Sequence, residues 1–418
     1  MKKSIVAGLS AVLVAANIVP SALADEDNDS SADEQQAEEN EEELVQTLTM
    51  EEAVDHALND DTSLLLLNYQ LENMKSQLNG LEDDHEDLND DLDDLEDQMD
   101  NLRDVQRETG ERTFQSRLEL QNQMETLEDN LDELEDSIQE LDTNTTTSEI
   151  DKQATKESME LSAISTFTQL VMAKDQLDLL HASLETEEQT VANTQKRHDL
   201  GLVSRDELDT AKREVTRLES EISQSKLELE RDMAEFALDI GITYHSDLSL
   251  EEPEIGELEP LQQETETEEL IENSYSMKSA KKELELAEYN QEQVYEDEDA
   301  TSHEEEQADI DVQIAEEEIV QLRENLTTSI ESLFTEADTQ YQNVISTEDE
   351  LNYAKTDYAN LKTQVDIGVA PESEYELSQL QVTEAELNHK VAEQNYFLLC
   401  KQIESLRSGL VEQQQSQQ

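Results

Sequence analysis

Apolar residues recur every three or four positions along most of this chain, the spacing of one buried helix face. From Thr49 to Leu78 the stripe is Ala53, Ala57, Leu64, Leu67, Leu71, Met74 and Leu78, and Thr49 with Glu52 offers a capping box at its start. Leu78, Leu81, His85, Leu88, Leu92, Leu95, Met99 and Leu102 then step by threes and fours, as do Leu120, Met124, Leu127, Leu131, Leu134, Ile138 and Leu141. Such steps make a coiled-coil seam. Gly110 lies nearly midway, so the two runs predict an antiparallel hairpin with arms of ~30 residues and ~45 Å. A single continuous helix is the alternative. The polar run Asp142-Thr143-Asn144-Thr145-Thr146-Thr147-Ser148 predicts a break. Helix is expected again from about Glu149 to Asp199 and from Ser204 to about Ile240.

The pattern then repeats. His198-Asp199-Leu200-Gly201-Leu202-Val203-Ser204-Arg205-Asp206-Glu207-Leu208 aligns with Val365-Asp366-Ile367-Gly368-Val369-Ala370-Pro371-Glu372-Ser373-Glu374-Tyr375 at a constant offset of 167 residues. Gly201 and Gly368 suit the left-handed conformation that ends a helix. Ser204 and Glu207 have capping-box spacing, and Pro371 falls where a first-turn proline is tolerated. Each stretch therefore predicts a tight turn between two long antiparallel helices, and the duplication is an internal repeat. An opening helix from Thr267 to about Glu298 echoes the one at Thr49. Only a turn follows it at 296–302, before helices from about Glu304 to Val365 and from Pro371 to Leu406. Residues 242–266, with Pro253, Gly256 and Pro260, form the linker between a first repeat at 48–241 and a second at 267–408. Residues 79–148 are the coiled-coil insertion, and 409–418 a Gln-rich tail.

Composition adds constraints. With 8 Gly, 4 Pro, 5 Phe and no Trp, the chain suits long helices with narrow seams rather than compact domains. Lys2 and Lys3, the apolar run Ile5 to Val19 and Ala22-Leu23-Ala24 read as a signal peptide over 1–24. No later segment is apolar enough to span a bilayer as a helix. The mature chain is thus expected to be exported to the cell envelope or extracellular face without a helical anchor. Residues 25–47 are acidic and read as disordered. Cys400 is the only cysteine and reads as a packing residue.

The net charge of −80 becomes −82 once Lys2 and Lys3 leave with the signal peptide. Such a surface repels nucleic acid and anionic lipid, and suits a salty or alkaline exterior. Eight like-charged i,i+4 pairs between Glu82 and Asp104 oppose the first hairpin arm by ~2 to 4 kcal/mol at low salt. No cofactor or metal pattern is found: His303-Glu304-Glu305-Glu306 lacks the second histidine of a zinc motif. No nucleophile elbow or phosphate loop is present. An enzyme is not expected.

The opening Leu48-Thr49-Met50-Glu51-Glu52-Ala53, the two glycine turns and the two-repeat layout resemble the TolC family of outer-membrane efflux and secretion channels. The resemblance covers roughly 48–408, less the insertion. It implies an all-α architecture of long antiparallel hairpins, assembled as a homotrimer around a tunnel. It implies that Gly201, Leu202, Val203 and Ser204, with Gly368, Val369, Ala370 and Pro371, face the hairpin tips of an adaptor protein serving an ABC or proton-driven pump. Glu207 and Glu374 would be pore-mouth acidic residues. Family members also carry two β-strands after each opening helix, which close a membrane barrel. No alternating β-type run occurs at either place, so no barrel is expected. An exported structural coiled-coil protein of the cell surface, without transport, is the alternative.

Overall fold

A computed structural model describes residues 46–411, apart from positions 60, 110, 111, 257, 264, 298 and 299. The stretch 1–24 expected to be a signal peptide, the acidic segment up to residue 45, Gly110 and residues 412–418 of the tail lie outside the described residues. Among those described the chain is all-α but for two short strands. The elements are β1 (Thr47–Leu48), α1 (Met50–Asn59), α2 (Thr62–Thr109), α3 (Phe114–Asp199), α4 (Arg205–Asp239), β2 (Ser249–Leu250), α5 (Thr267–Asn273), α6 (Tyr275–Glu296), α7 (Ser302–Asp366) and α8 (Glu372–Ser408). No barrel closes. No helix among the described residues is long and apolar enough to cross a membrane.

The coiled-coil seam folds as an antiparallel hairpin of α2 on the start of α3. Lys75 pairs with Glu149, Ser148 Oγ lies 3.8 Å from Met74 Sδ, and Thr113 Oγ1 donates to the Leu102 carbonyl at 3.4 Å. Every seam position named above is half-buried or buried, while nearly every residue between them is exposed. From Lys75 to Thr109 the arm is about 50 Å long at 1.5 Å per residue.

Three local expectations are corrected. The break at 142–148 does not occur, and α3 runs through it as one helix of 86 residues. Thr and Asn disfavour helix by at most ~0.7 kcal/mol each. Here Thr143 and Thr145 turn inward and are buried, so packing overrides propensity. The opening helix is not continuous to Leu78 but jointed at Asp61, whose carboxylate accepts the backbone N–H groups of Ser63 (2.6 Å) and Leu64 (2.9 Å). Burial alone would raise the Asp61 pKa, but these bonds outweigh it and hold the carboxyl below its usual value. The second opening helix is jointed likewise at buried Ser274, whose Oγ accepts the Met277 N–H at 3.2 Å and donates to the Ile271 carbonyl at 2.7 Å.

Each repeat has its own core. In the first, α1, α3 and the end of α4 bury Ala53, Ala57, Phe167, Val171, Phe236 and Ile240, and the parallel β1–β2 pair adds Leu48 and Leu250. In the second, α5, α6, α7 and the end of α8 bury Ile271, Met277, Leu326, Ile330 and Leu406. Ala163 and Ile330, and likewise Phe167 and Phe334, take corresponding places at the same offset as the glycine turns. Full burial of one such Phe or Ile contributes ~1.5–3 kcal/mol. The repeats are joined where α8 and α6 pack on α3. Lys390 on α8 meets Asp175 on α3 and Glu252 of the connector, both at 2.8 Å. Tyr396, fully buried, donates to the Glu259 carbonyl at 2.7 Å and accepts the Leu261 N–H at 3.0 Å.

Candidate functional site: the paired glycine turns

Both turns close the same way. Gly201 has φ 73° and Gly368 φ 75°. Gly201 N–H donates to the His198 carbonyl at 2.8 Å and Leu202 N–H to Arg197 at 2.9 Å. The counterparts are Gly368 to Val365 at 2.9 Å and Val369 to Gln364 at 2.8 Å. This is the Schellman pattern, which satisfies the orphan carbonyls of a helix end and requires a left-handed residue. Ser204 then caps α4, its side chain accepting the Glu207 N–H at 3.2 Å. Pro371 occupies the N-cap of α8 rather than its first turn, and offers no side-chain acceptor. The Glu374 N–H reaches the Pro371 carbonyl instead, at 3.2 Å.

The closure presents apolar residues to solvent. Leu200, Leu202, Ile367 and Val369 are each between 68 and 74% exposed. Val203 and Ala370 are half-buried, and Ser204, Pro371, Glu207 and Glu374 are exposed. Just behind each tip the paired helices are tied. Lys212 on α4 donates to Gln195 on α3 at 3.3 Å. Tyr375 on α8 stacks on Tyr358 of α7, centroids 4.8 Å apart, with their hydroxyls in contact. Leu208, the counterpart of Tyr375, is buried.

The two turns lie at one end of the bundle. The first turns of α8 lie against α3 and α4, where a groove of about 590 Å³ is lined by Glu187, Glu214, Arg217, Leu218, Glu374 and Leu377 among others. Arg217 spans two carboxylates at 2.6 Å each, Glu214 and Glu221, and its hydrogen bonds hold the Glu214 carboxyl below its usual value. Burial first, and the Glu214 charge second, raise Glu187. Glu374 therefore faces a mixed-charge groove, whereas Glu207 does not line it. Sequence reasoning placed the glycines and missed the flanking Leu200 and Ile367, although both fall at the repeat offset. It also missed Gly241 (φ 76°) and Gly409 (φ 116°), which end α4 and α8 with the same bond pattern.

No protein-family profile matches the sequence, and no curated protein matches it. Solved structures do match in fold. The CmeC outer membrane channel of Campylobacter jejuni aligns with TM-score 0.59 at 13% identity, over 88% of this chain and 87% of that one. A membrane protein from Pseudomonas aeruginosa gives 0.58 at 12%, over 88% and 92%. The outer membrane protein VceC of Vibrio cholerae gives 0.52 at 14%, over 67% and 76%. The long jointed helices of this chain thus share the fold of these outer-membrane channel structures.

Proposed function

We propose that this chain is an α-helical duct component of an efflux or secretion system in the cell envelope, exported by its signal peptide. Three copies would enclose the lumen. The observation that carries this reading is the pair of glycine turns. Two tips of matching backbone geometry, each offering exposed apolar residues, stand at one end of one chain. A structural rod has no need of that duplication, while a docking ring built from two repeats per subunit does. Gly201, Leu202, Val203 and Ser204, together with Gly368, Val369, Ala370 and Pro371, would receive an adaptor protein that links the duct to an ABC or proton-driven pump. Glu207 and Glu374 would set the charge at the mouth. The reading is tested by photocrosslinkers placed at Leu202 and Val369 in producing cells. Crosslinks to one adaptor with paired-helix tips, lost when Gly201 and Gly368 are both changed to Val, are expected. Unaltered export by that double variant would sink the proposal.

A second reading, a cell-surface structural coiled coil without transport, is favoured by the acidic hairpin standing where family members place barrel strands. Light scattering in molar salt separates the two: a closed trimer supports the duct, monomers or two-stranded rods the structural role.

A further inference from the structure

The end of the α2–α3 hairpin departs from the rest of the chain in both charge and polarity. Residues 101–118 carry Arg103, Arg107, Arg112 and Arg117 against Asp104, Glu108 and Glu111, a net charge of +1 in a chain of −80. The corresponding turn of the second repeat, 296–306, has seven acidic residues and no Lys or Arg. Phe114 is 67% exposed, and Val105 and Leu118 are exposed beside it. Elsewhere on the arms, over 70–104 and 119–148, no large apolar side chain among the described residues is exposed. Their seam residues face inward. Among the described residues Arg103 and Arg107 pair with Asp100 and Asp104 on their own helix, at 2.8 and 3.1 Å. Such exposed pairs are worth little and leave guanidinium donors open to another anion.

The hairpin end also stands clear of the bundle. Tyr289 on α6 donates to Asp136 on α3 at 3.2 Å. That level is about 10 residues short of the α6–α7 turn and about 25 short of the hairpin end, so the hairpin projects some 20 Å further at 1.5 Å per residue.

We infer that this tip docks onto an anionic lipid surface. Phe114, Leu118 and Val105 enter the boundary between headgroups and acyl chains, and the arginines take phosphate oxygens. A soluble polyanion would call for the arginines without the exposed ring, and an apolar protein surface for the ring without the arginines. The acidic coat repels anionic lipid as a whole, but the tip escapes this. Asp100 is taken up by Arg103, and the next carboxylates on the two arms, Glu119 and Asp97, lie about 12 and 20 Å behind the hairpin end, beyond the ~8 Å screening length of 0.15 M salt.

The test is co-sedimentation of the purified full chain with phosphatidylglycerol or phosphatidylcholine vesicles at 0.15 M salt. Binding to the anionic vesicles and little to the neutral ones is expected. Phe114→Ser with Leu118→Ser should lower it at least tenfold, as should Arg103→Gln, Arg107→Gln and Arg112→Gln together. Helix content by circular dichroism should hold in both variants, because the altered side chains are exposed. Leu238→Ser, an exposed apolar residue on α4, should change nothing. Absence of binding, or binding that survives both sets of substitutions, overturns the inference. So does equal binding to soluble polyphosphate retained by the Phe114→Ser, Leu118→Ser variant, which would assign the tip to a polyanion.

Discussion

A Cβ added at Gly201 or Gly368 would meet nothing within 4 Å, so a side chain there costs backbone strain and nothing else. Left-handed backbone costs an L-residue ~1–2 kcal/mol and more if β-branched, while Asn tolerates it. The double Val variant should therefore lose at least ~2–4 kcal/mol in urea unfolding, with helicity intact at 25 °C. The double Asn variant should stay near wild type in both stability and docking. Gly409 differs. Its added Cβ would lie 2.9 Å from the Asn273 carbonyl, and its own carbonyl accepts the Tyr275 N–H at 2.9 Å. Gly409→Ala should thus destabilise more than Gly201→Ala in the same assay. Tyr396 supplies a pH dependence. Burial pushes its phenol up from 10.0 to about 12, so the folded chain holds that proton more tightly than the unfolded one. Its contribution is whole below pH 10 and is lost as pH climbs from 10 towards 12, because the phenolate can no longer donate to Glu259. Thermal melts across that window should fall more steeply for the native chain than for Tyr396→Phe.

Among the elements, the hairpin is the one most exposed to ionic strength. Its seam side chains are mostly half-buried, so each contributes less than a core residue, while the like-charged pairs along α2 act at full strength in dilute buffer. Helix content should rise from low-millimolar to molar salt, and hydrogen exchange should place the gain between residues 79 and 141. A flat signal would refute the electrostatic argument. This hairpin was legible in the sequence because leucine spacing is strictly periodic and the two arms share one seam. The glycine turns were legible because a left-handed helix end leaves a glycine, and repetition marked it twice. The joints at Asp61 and Ser274 were hidden, since the apolar stripe continues across them and a capping residue inside a stripe looks like any polar position. The continuity of α3 through 142–148 was hidden for the opposite reason: local propensity argued for a break, and only burial of Thr143 and Thr145 reversed it. The β1–β2 pair is two residues long and carries no period to read. Gly409 was hidden by the glutamines that follow it.

Among the described residues, α3 is the longest helix. Its 86 residues extend about 130 Å at 1.5 Å per residue, with the hairpin tip at one end and the glycine turns at the other. Charge at the turn end is testable there alone. Glu207→Gln with Glu374→Gln should leave adaptor crosslinking unchanged and shift which charged solutes are exported, measured by transport of a matched cationic and anionic pair. No shift would remove both residues from the mouth. The hairpin has a consequence for how such chains can diverge. Up to the level of the end of α6, α3 is held by α1, α4, α6 or α8 as well as α2, and one inserted residue would turn everything beyond it by about 100°. Beyond the end of α6 only two arms and a seam are involved among the described residues, and both can gain seven residues together. Each such step moves the tip outward by about 10.5 Å and rotates it by only ~20°. The hairpin is thus a ruler graduated in heptads. Its length can be reset to match the distance between whatever holds the two ends, without touching the turns or the cores.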